Sequence, residues 1–409
     1  MPKLVRRWLL APAALLLLAL LVYQIPAVKL AVDWRTEKMG LYVKNVVNPP
    51  GPVPTALPFT PPPATPFPSP TRPAGTLEAS PTPTPTLPPL PAQVSLASPP
   101  YEKQTPNNCG PATLSMAMHM YGWTGTQADI AAQIKPVLQD RNVNPEELVY
   151  YVRNNAGWLN IEYRVGGSID LLRRMLAANY PVIVEGTTAL DPNDALGPND
   201  DLWAAHYLLL TGYDDTAQTF TVQDSYHGAD RTVSYDQLKE EWKPFNYLYL
   251  FFYVSGEEPE IQSILDADWD PEANRQRALE ASQAAAQADP NDAYAWFNLG
   301  SNQVYFERYD EAGVSYDKAR QIGLPLRMFR YQFGPFIAYF QSSRIDDLLA
   351  LTDYARGVTE MSEETWLWYG WGLYRKNDLT GARKAWDKAL SIHPGYTDAE
   401  YAINFLSGQ

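Results

Sequence analysis

A chain of 409 residues is too long for one small domain, and a single cysteine excludes a disulfide framework. With 32 basic against 46 acidic side chains the formal net charge is −14, which argues against nucleic acid or an anionic lipid surface as partner. The 37 prolines are spread unevenly, and that unevenness divides the chain.

At the N-terminus Lys3, Arg6 and Arg7 precede an apolar run from Trp8 to Tyr23, broken only by Pro12. A basic flank followed by an apolar core with no amphipathic face reads as a signal sequence. Extended through Val28, the run reaches the length of a membrane anchor. Residues 1–28 are expected to be a signal-anchor, or a signal peptide that is cleaved, with everything after them extracytoplasmic. Residues 29–48 are mixed in character and receive no assignment. From Pro49 to Pro100 the chain carries 20 of its prolines, with Arg72 and Glu78 as the only charges. Such a stretch cannot bury a core, so 49–100 is expected to be a disordered, largely polyproline II linker.

Residues 101–256 are long enough for a domain with its own core. The only cysteine lies in Gln104-Thr-Pro-Asn-Asn-Cys109-Gly110-Pro111-Ala112, just before an apolar run, Ala112 to Tyr121, that reads as a helix. A thiol at a helix N-terminus meets the positive end of the macrodipole, which lowers its pKa. The same N–H groups can stabilise an oxyanion, and the Gln104 amide can add a donor. Helices are expected over Thr126–Lys135, from Asn144-Pro145 to Asn155, and over Ser168–Asn179, with a strand from Trp158 to Val165 between the last two. Pro181–Glu185, Ala205–Tyr213, Thr219–Gln223 and Tyr247–Val254 read as strands, with a short helix from Ser234 to Trp242. Helices first and an antiparallel sheet after is an α+β order.

His206 stands at the start of one apolar strand and Asp224 near the end of the next. In an antiparallel hairpin these positions share one end of the ladder. Asp224 can then accept from one ring nitrogen of His206 while the other faces Cys109, which is the nucleophile, base and orienter set of a thiol acyl-transfer site. Of the other histidines, His119 is about three turns into the Cys helix, His393 lies near the C-terminus, and His227, just after Asp224, is the only local rival. Asp191, Asp194, Asp200 and Asp201 surround a Gly197-Pro198 turn; a calcium loop is conceivable there, but the EF-hand spacing is absent and the stretch reads as a solvated acidic loop. No metal or cofactor is expected.

Gln104-x4-Cys109-Gly-Pro-Ala, Ala-His206-Tyr, Gly-Tyr-Asp214 and Asp224 resemble the C39-like family of papain-fold cysteine peptidases, over about residues 98–255. Carried over, the resemblance implies Cys109 as nucleophile, His206 as base, Asp224 as orienter and Gln104 as oxyanion donor. Ser225 stands where the family often has proline. Well-known members are fused to a transporter with an ATPase, and this chain has no Walker loop. The implied function is an extracytoplasmic, membrane-anchored thiol peptidase acting on a peptide or protein. The alternatives are a non-catalytic interaction scaffold, or a thiol-dependent acyltransferase or amidase on peptide substrates.

After Gly256-Glu-Glu-Pro259 the composition turns helical. Trp296, Leu299, Gly300, Ala312, Tyr316 and Ala319 recur 70 residues later as Trp366, Tyr369, Gly370, Ala382, Trp386 and Ala389. That offset is twice about 35, near the tetratricopeptide period. Residues 257–409 therefore resemble tetratricopeptide repeats: a leading half-repeat over 272–290, two clear units, and a degenerate middle one from Leu326 to Glu360 that keeps Gly334. A stack of this kind offers a groove for a peptide or protein partner.

Overall fold

The computed structural model describes residues 14–60, 89–198 and 200–408. The basic flank with Lys3, Arg6 and Arg7, and the linker charges Arg72 and Glu78, lie outside the described residues.

The described residues from 14 to 51, together with those of Ala189–Leu202, form a unit of their own. It holds α1 (Ala14–Tyr23) and α2 (Pro26–Val47), the second covering the stretch left unassigned from the sequence. Among the described residues no single helix is long and apolar enough to cross a membrane; α1 and α2 meet that test only as a pair, bent by 97°. The acidic loop belongs to this unit. Lys38 of α2 pairs with Asp194, and Asn45 Nδ2 donates to the Leu196 carbonyl at 2.7 Å. Asp200 accepts from the backbone of Leu196 and Leu202, and Asp191 from that of Asn193. These carboxylates tie the loop to itself and to α2.

The second unit contains the sheet and the repeats. Its first strand, β1 (Gln93–Ser95), corrects the linker boundary: Val94 and Leu96 are apolar in a locally proline-free stretch, so the chain can pair with β4 before Pro99. Three helices follow: α3 (Cys109–His119), α4 (Gln127–Ile134) and α5 (Pro145–Asn155). Thr126 with Asp129, and Asn144 with Glu147, close reciprocal capping boxes at the starts of α4 and α5. Next come β2 (Leu159–Arg164), α6 (Ile169–Ala177) capped by Ser168, β3 (Val182–Ala189), β4 (Trp203–Asp214), β5 (Thr219–Asp224) and β6 (Gly228–Ser234). Helix α7 (Tyr235–Trp242) leads into β7 (Tyr249–Val254).

The sheet order is β2-β7-β3-β4-β5-β6, with β1 on β4. It has a core on each face, and the strands alternate between them. In β7, Leu250 and Phe252, with Leu248 just ahead of the strand, join the core beneath α3, α4 and α5. Tyr249, Phe251 and Tyr253 join the core beneath α6 and α7. β4 divides likewise, Tyr207 and Leu209 against Leu208 and Leu210. Helix α8 (Glu258–Leu265) then adds Ile261 and Leu265 to the second of these cores, so contact with the sheet continues past Gly256.

The C-terminal helices are α9 (Pro271–Ala288), α10 (Ala293–Tyr305), α11 (Tyr309–Ile322), α12 (Gly334–Gln341), α13 (Ile345–Val358), α14 (Glu363–Arg375), α15 (Leu379–Ile392) and α16 (Thr397–Ser407). This all-helical region resembles tetratricopeptide repeats. The repeat is carried by equivalent contacts. A Cβ on Gly300 would strike the Tyr316 ring, and one on Gly370 would strike the Trp386 indole, so each glycine lets the partner helix close in. The indoles of Trp296 and Trp366 each donate to a carbonyl six residues back, those of Pro290 and Glu360.

The repeats pack on the sheet domain through polar contacts. Lys243 pairs with Asp292 at 2.7 Å, Asn246 donates to Asn302 at 2.8 Å, and Arg327 Nη1 donates to the Trp203 carbonyl at 2.9 Å. The front of the linker also lies on the repeats: Pro54 offers its carbonyl to Arg320, the Leu57 N–H donates to Asp347 Oδ1 at 3.0 Å, and the Arg344 guanidinium stacks 4.5 Å from the Phe59 ring.

Candidate active site

Cys109 opens α3, so its thiol stands in the first turn, three residues earlier than the apolar run alone suggests. Pro111 is tolerated inside that turn because the N–H it lacks has no helical partner there. The preceding turn is pinned: Asn107 adopts a left-handed backbone (φ 58°), and the Asn108 amide donates to Gln127 Oε1 at 2.8 Å. Thr113 on α3 donates to the Tyr207 carbonyl of β4, which sets the helix against the strand that carries His206.

His206 and Asp224 are both buried, each 3% exposed. They meet because Leu209 pairs with Gln223 across β4 and β5, which leaves both residues at one end of the ladder. His206 Nε2 lies 2.8 Å from Asp224 Oδ1, leaving Nδ1 for the thiol. The same Oδ1 accepts from the backbone N–H groups of Tyr226 and His227, each at 3.0 Å. Oδ2 accepts from Arg231 Nη1 at 2.8 Å. Arg231 is on β6, a strand absent from the sequence reading, and nothing short of the hairpin register would have placed it beside Asp224.

The electrostatics follow this geometry. Burial pushes the Asp224 carboxyl up, but the His206 contact and the His227 N–H more than offset it, holding the group well below the usual carboxylate range. Burial pulls the His206 ring down, yet hydrogen bonds to Asp224 and Cys109 carry it to about 9. For Cys109 burial again opposes charge, but contact with His206, then the backbone at Tyr207 and Gly110, brings the thiol below its ordinary value. A lowered thiol beside a raised imidazole favours the thiolate and imidazolium pair.

Gln104 sits beside Asp224 through Ser225. The Ser225 hydroxyl donates to Gln104 Oε1 at 2.9 Å, and the Gln104 N–H donates to the Ser225 carbonyl at 2.9 Å. With its oxygen held, the Gln104 amide has a defined direction in which to present its N–H groups. The serine that departs from the family pattern thus anchors a predicted site residue. Of the other histidines, His227 is exposed with its ring on Thr188 Oγ1, His119 is bonded to the Gly125 carbonyl, and His393 contacts Glu363. Sequence reasoning also passed over Glu185 on β3. Burial, followed by the charge of Cys109, pushes its carboxyl well above the ordinary range. A glutamate in the apolar Val182-Ile-Val-Glu185 run was the available signal.

A cysteine in the first turn of a helix, packed on an antiparallel sheet whose neighbouring strands deliver an imidazole and a carboxylate, is the architecture of papain-like cysteine peptidases. Residues 96–250 match the model of the Peptidase_C39 like family, and this stretch is a C39-like peptidase-family domain. Among solved structures the chain is similar to a candidate C39-like peptidase from Bacillus anthracis (17% identity, 39% of this chain and 97% of that one, TM-score 0.31). It is similar to xylellain, a cysteine protease from Xylella fastidiosa (17%, 40% and 86%, TM-score 0.31). YrrB, a TPR protein with an unusual peptide-binding site, is also similar (20%, 37% and 81%, TM-score 0.30). No protein of curated function matches the chain.

Proposed function

We propose that the chain is a thiol peptidase in which Cys109 is the nucleophile, His206 the acid–base group, Asp224 its orienter and Gln104 an oxyanion donor. The observation that carries this reading is the hydrogen bond from His206 to an Asp224 carboxylate already held by Arg231 and two backbone N–H groups. A carboxylate so held fixes the imidazole and favours its charged form, which in turn favours the thiolate. The thiolate attacks the peptide carbonyl, the imidazolium protonates the departing amine, and water releases the acyl-enzyme.

The repeats are read as a binding surface for a peptide or protein. Support comes from the chain's own linker, whose Pro54, Leu57 and Phe59 lie against Arg320, Asp347 and Arg344. The N-terminal segment is read as a signal-anchor, with the later domains extracytoplasmic. Its support is the basic flank and apolar run of the sequence, together with the apolar α1.

The test is incubation of the full chain with a mixed peptide library, read by mass spectrometry beside Cys109→Ala and His206→Ala. Cleavage by the wild type alone is expected, with a recurring residue pattern at the cut. Cleavage that persists in both variants, or a folded wild type that leaves the library intact, overturns the reading.

A further inference from the structure

Where α5 of the sheet domain meets the start of α14, acidic groups crowd together. Asp140, Glu363 and Glu364 are buried, Glu147 is half-buried beside them, and Lys135 and His393 lie in the same cluster. Most of these groups are accounted for. Lys135 Nζ donates to the Asp140 carbonyl at 3.2 Å. Glu364 accepts from Asn144 at 2.7 Å, from Asn142 at 3.3 Å and from Ser362 at 3.3 Å. Glu147 uses Oε2 to close the cap of α5, and its Oε1 is 3.9 Å from His393 Nδ1.

Glu363 is the exception. Its Oε1 contacts His393 Nδ1 at 3.0 Å, while Oε2 is buried with no hydrogen-bond partner, in a residue only 2% exposed. A buried carboxylate oxygen left unpaired carries a desolvation cost. A cation bound by the carboxylate removes it.

We propose that Glu147, Glu363 and His393 form a divalent-cation site that ties the sheet domain to the repeats. Each residue offers one ligand atom, and the three atoms lie within 4.8 Å of one another. Tetrahedral ligands at zinc-type distances of about 2.0–2.2 Å are separated by roughly 3.3 Å, so a modest inward movement of half-buried side chains completes the geometry. Two carboxylates and one imidazole suit zinc and its neighbours, whereas calcium takes six to eight oxygens. The ligands come from α5, from the first turn of α14 and from His393 at the end of α15. An ion there crosslinks two regions that also meet through hydrogen bonds, ion pairs and the packing of Trp203 on Tyr331 and of Ala278 in the sheet core.

The test uses the full chain carrying Cys109→Ala, so that the thiol cannot take the ion. Protein stripped with a chelator is dialysed against Zn2+, bound metal is counted by mass spectrometry, and the melting temperature is followed. One equivalent of Zn2+ and a raised melting temperature are expected, with Ca2+ giving neither. Both effects should disappear in Glu363→Gln and in His393→Ala. No stoichiometric Zn2+ in the parent, or binding that survives either substitution, overturns the proposal. Should Glu363→Gln fail to fold by circular dichroism, Glu147→Gln on the opposite domain takes its place: loss of the equivalent supports the site and retention overturns it.

Discussion

Replacing Asp224 with asparagine keeps the shape of the side chain and removes its charge. In the native site burial works against a charged His206, and Asp224 is the first contact that overcomes it, bringing the ring to about 9 from the ordinary 6.5. An elevation of that size corresponds to ~3 kcal/mol in favour of the imidazolium. Without the carboxylate, burial governs and the ring is neutral at pH 7. Cys109 then loses the charged partner that lowers its thiol, and its own burial pushes it up. Alkylation by iodoacetamide between pH 4 and 10 reads this directly. In the wild type the rate rises through a depressed thiol pKa, and peptidase activity falls again as pH passes about 9, where the imidazolium is lost. Asp224→Asn is expected to react about 100-fold more slowly at pH 7 and to gain rate only near an ordinary thiol pKa of about 8.5. Stability follows the same sign. A ring whose folded pKa is raised stabilises the fold fully below about 6.5 and loses that contribution as pH rises through about 9. The stability gap between wild type and variant should therefore shrink over that interval. An Asp224→Asn protein that alkylates at pH 7 within about threefold of wild type would refute the ion-pair account.

Ser225→Ala removes the donor that holds Gln104 Oε1, a loss of ~1 kcal/mol; kcat should drop severalfold with alkylation of Cys109 unchanged, and a parallel drop in alkylation would contradict the positioning role. Gln104→Ala should cost about 10²–10³ in kcat if its amide faces the oxyanion; a loss confined to KM would remove it from that role. Gly300→Ala and Gly370→Ala each drive a methyl into an aromatic ring and should destabilise by about 1–3 kcal/mol in urea melts; if only one does so, the two units are not structurally equivalent. Arg327→Ala breaks a buried guanidinium contact to the Trp203 carbonyl. It should lower stability by about 1.5–3 kcal/mol and reduce kcat, since His206 follows on the same strand. Unchanged kinetics in the folded variant would separate the repeats from the site.

Much of the sheet domain was legible because period-2 and period-3.6 patterns are strong where both faces of a strand or one face of a helix are buried. His206 and Asp224 could be brought together from order alone, since adjacent antiparallel strands place the start of one beside the end of the next. β6 escaped notice because Gly228-Ala-Asp-Arg-Thr-Val-Ser has a single buried residue, Val233, and so no alternation to read. β1 was hidden by the prolines around it. Arg231 and Ser225 were beyond reach for a different reason. Each owes its place at the site to hydrogen bonds across strands or loops, and such partners leave no periodic trace.

The sequence presents the repeats as an appendage, with a composition shift at Gly256 that invites a cut. The contacts argue otherwise. Trp203, at the start of the His206 strand, stacks on Phe245 of the sheet domain and lies against Tyr331 of the repeats, while Arg327 holds its carbonyl. Asn246, in a left-handed turn (φ 53°), places a buried amide on Asn302. Separating the two regions would hand these polar groups to water and expose the aromatic surface that Trp203 shares with Tyr331. A repeat array that supplies these partners is part of the scaffold that aims His206.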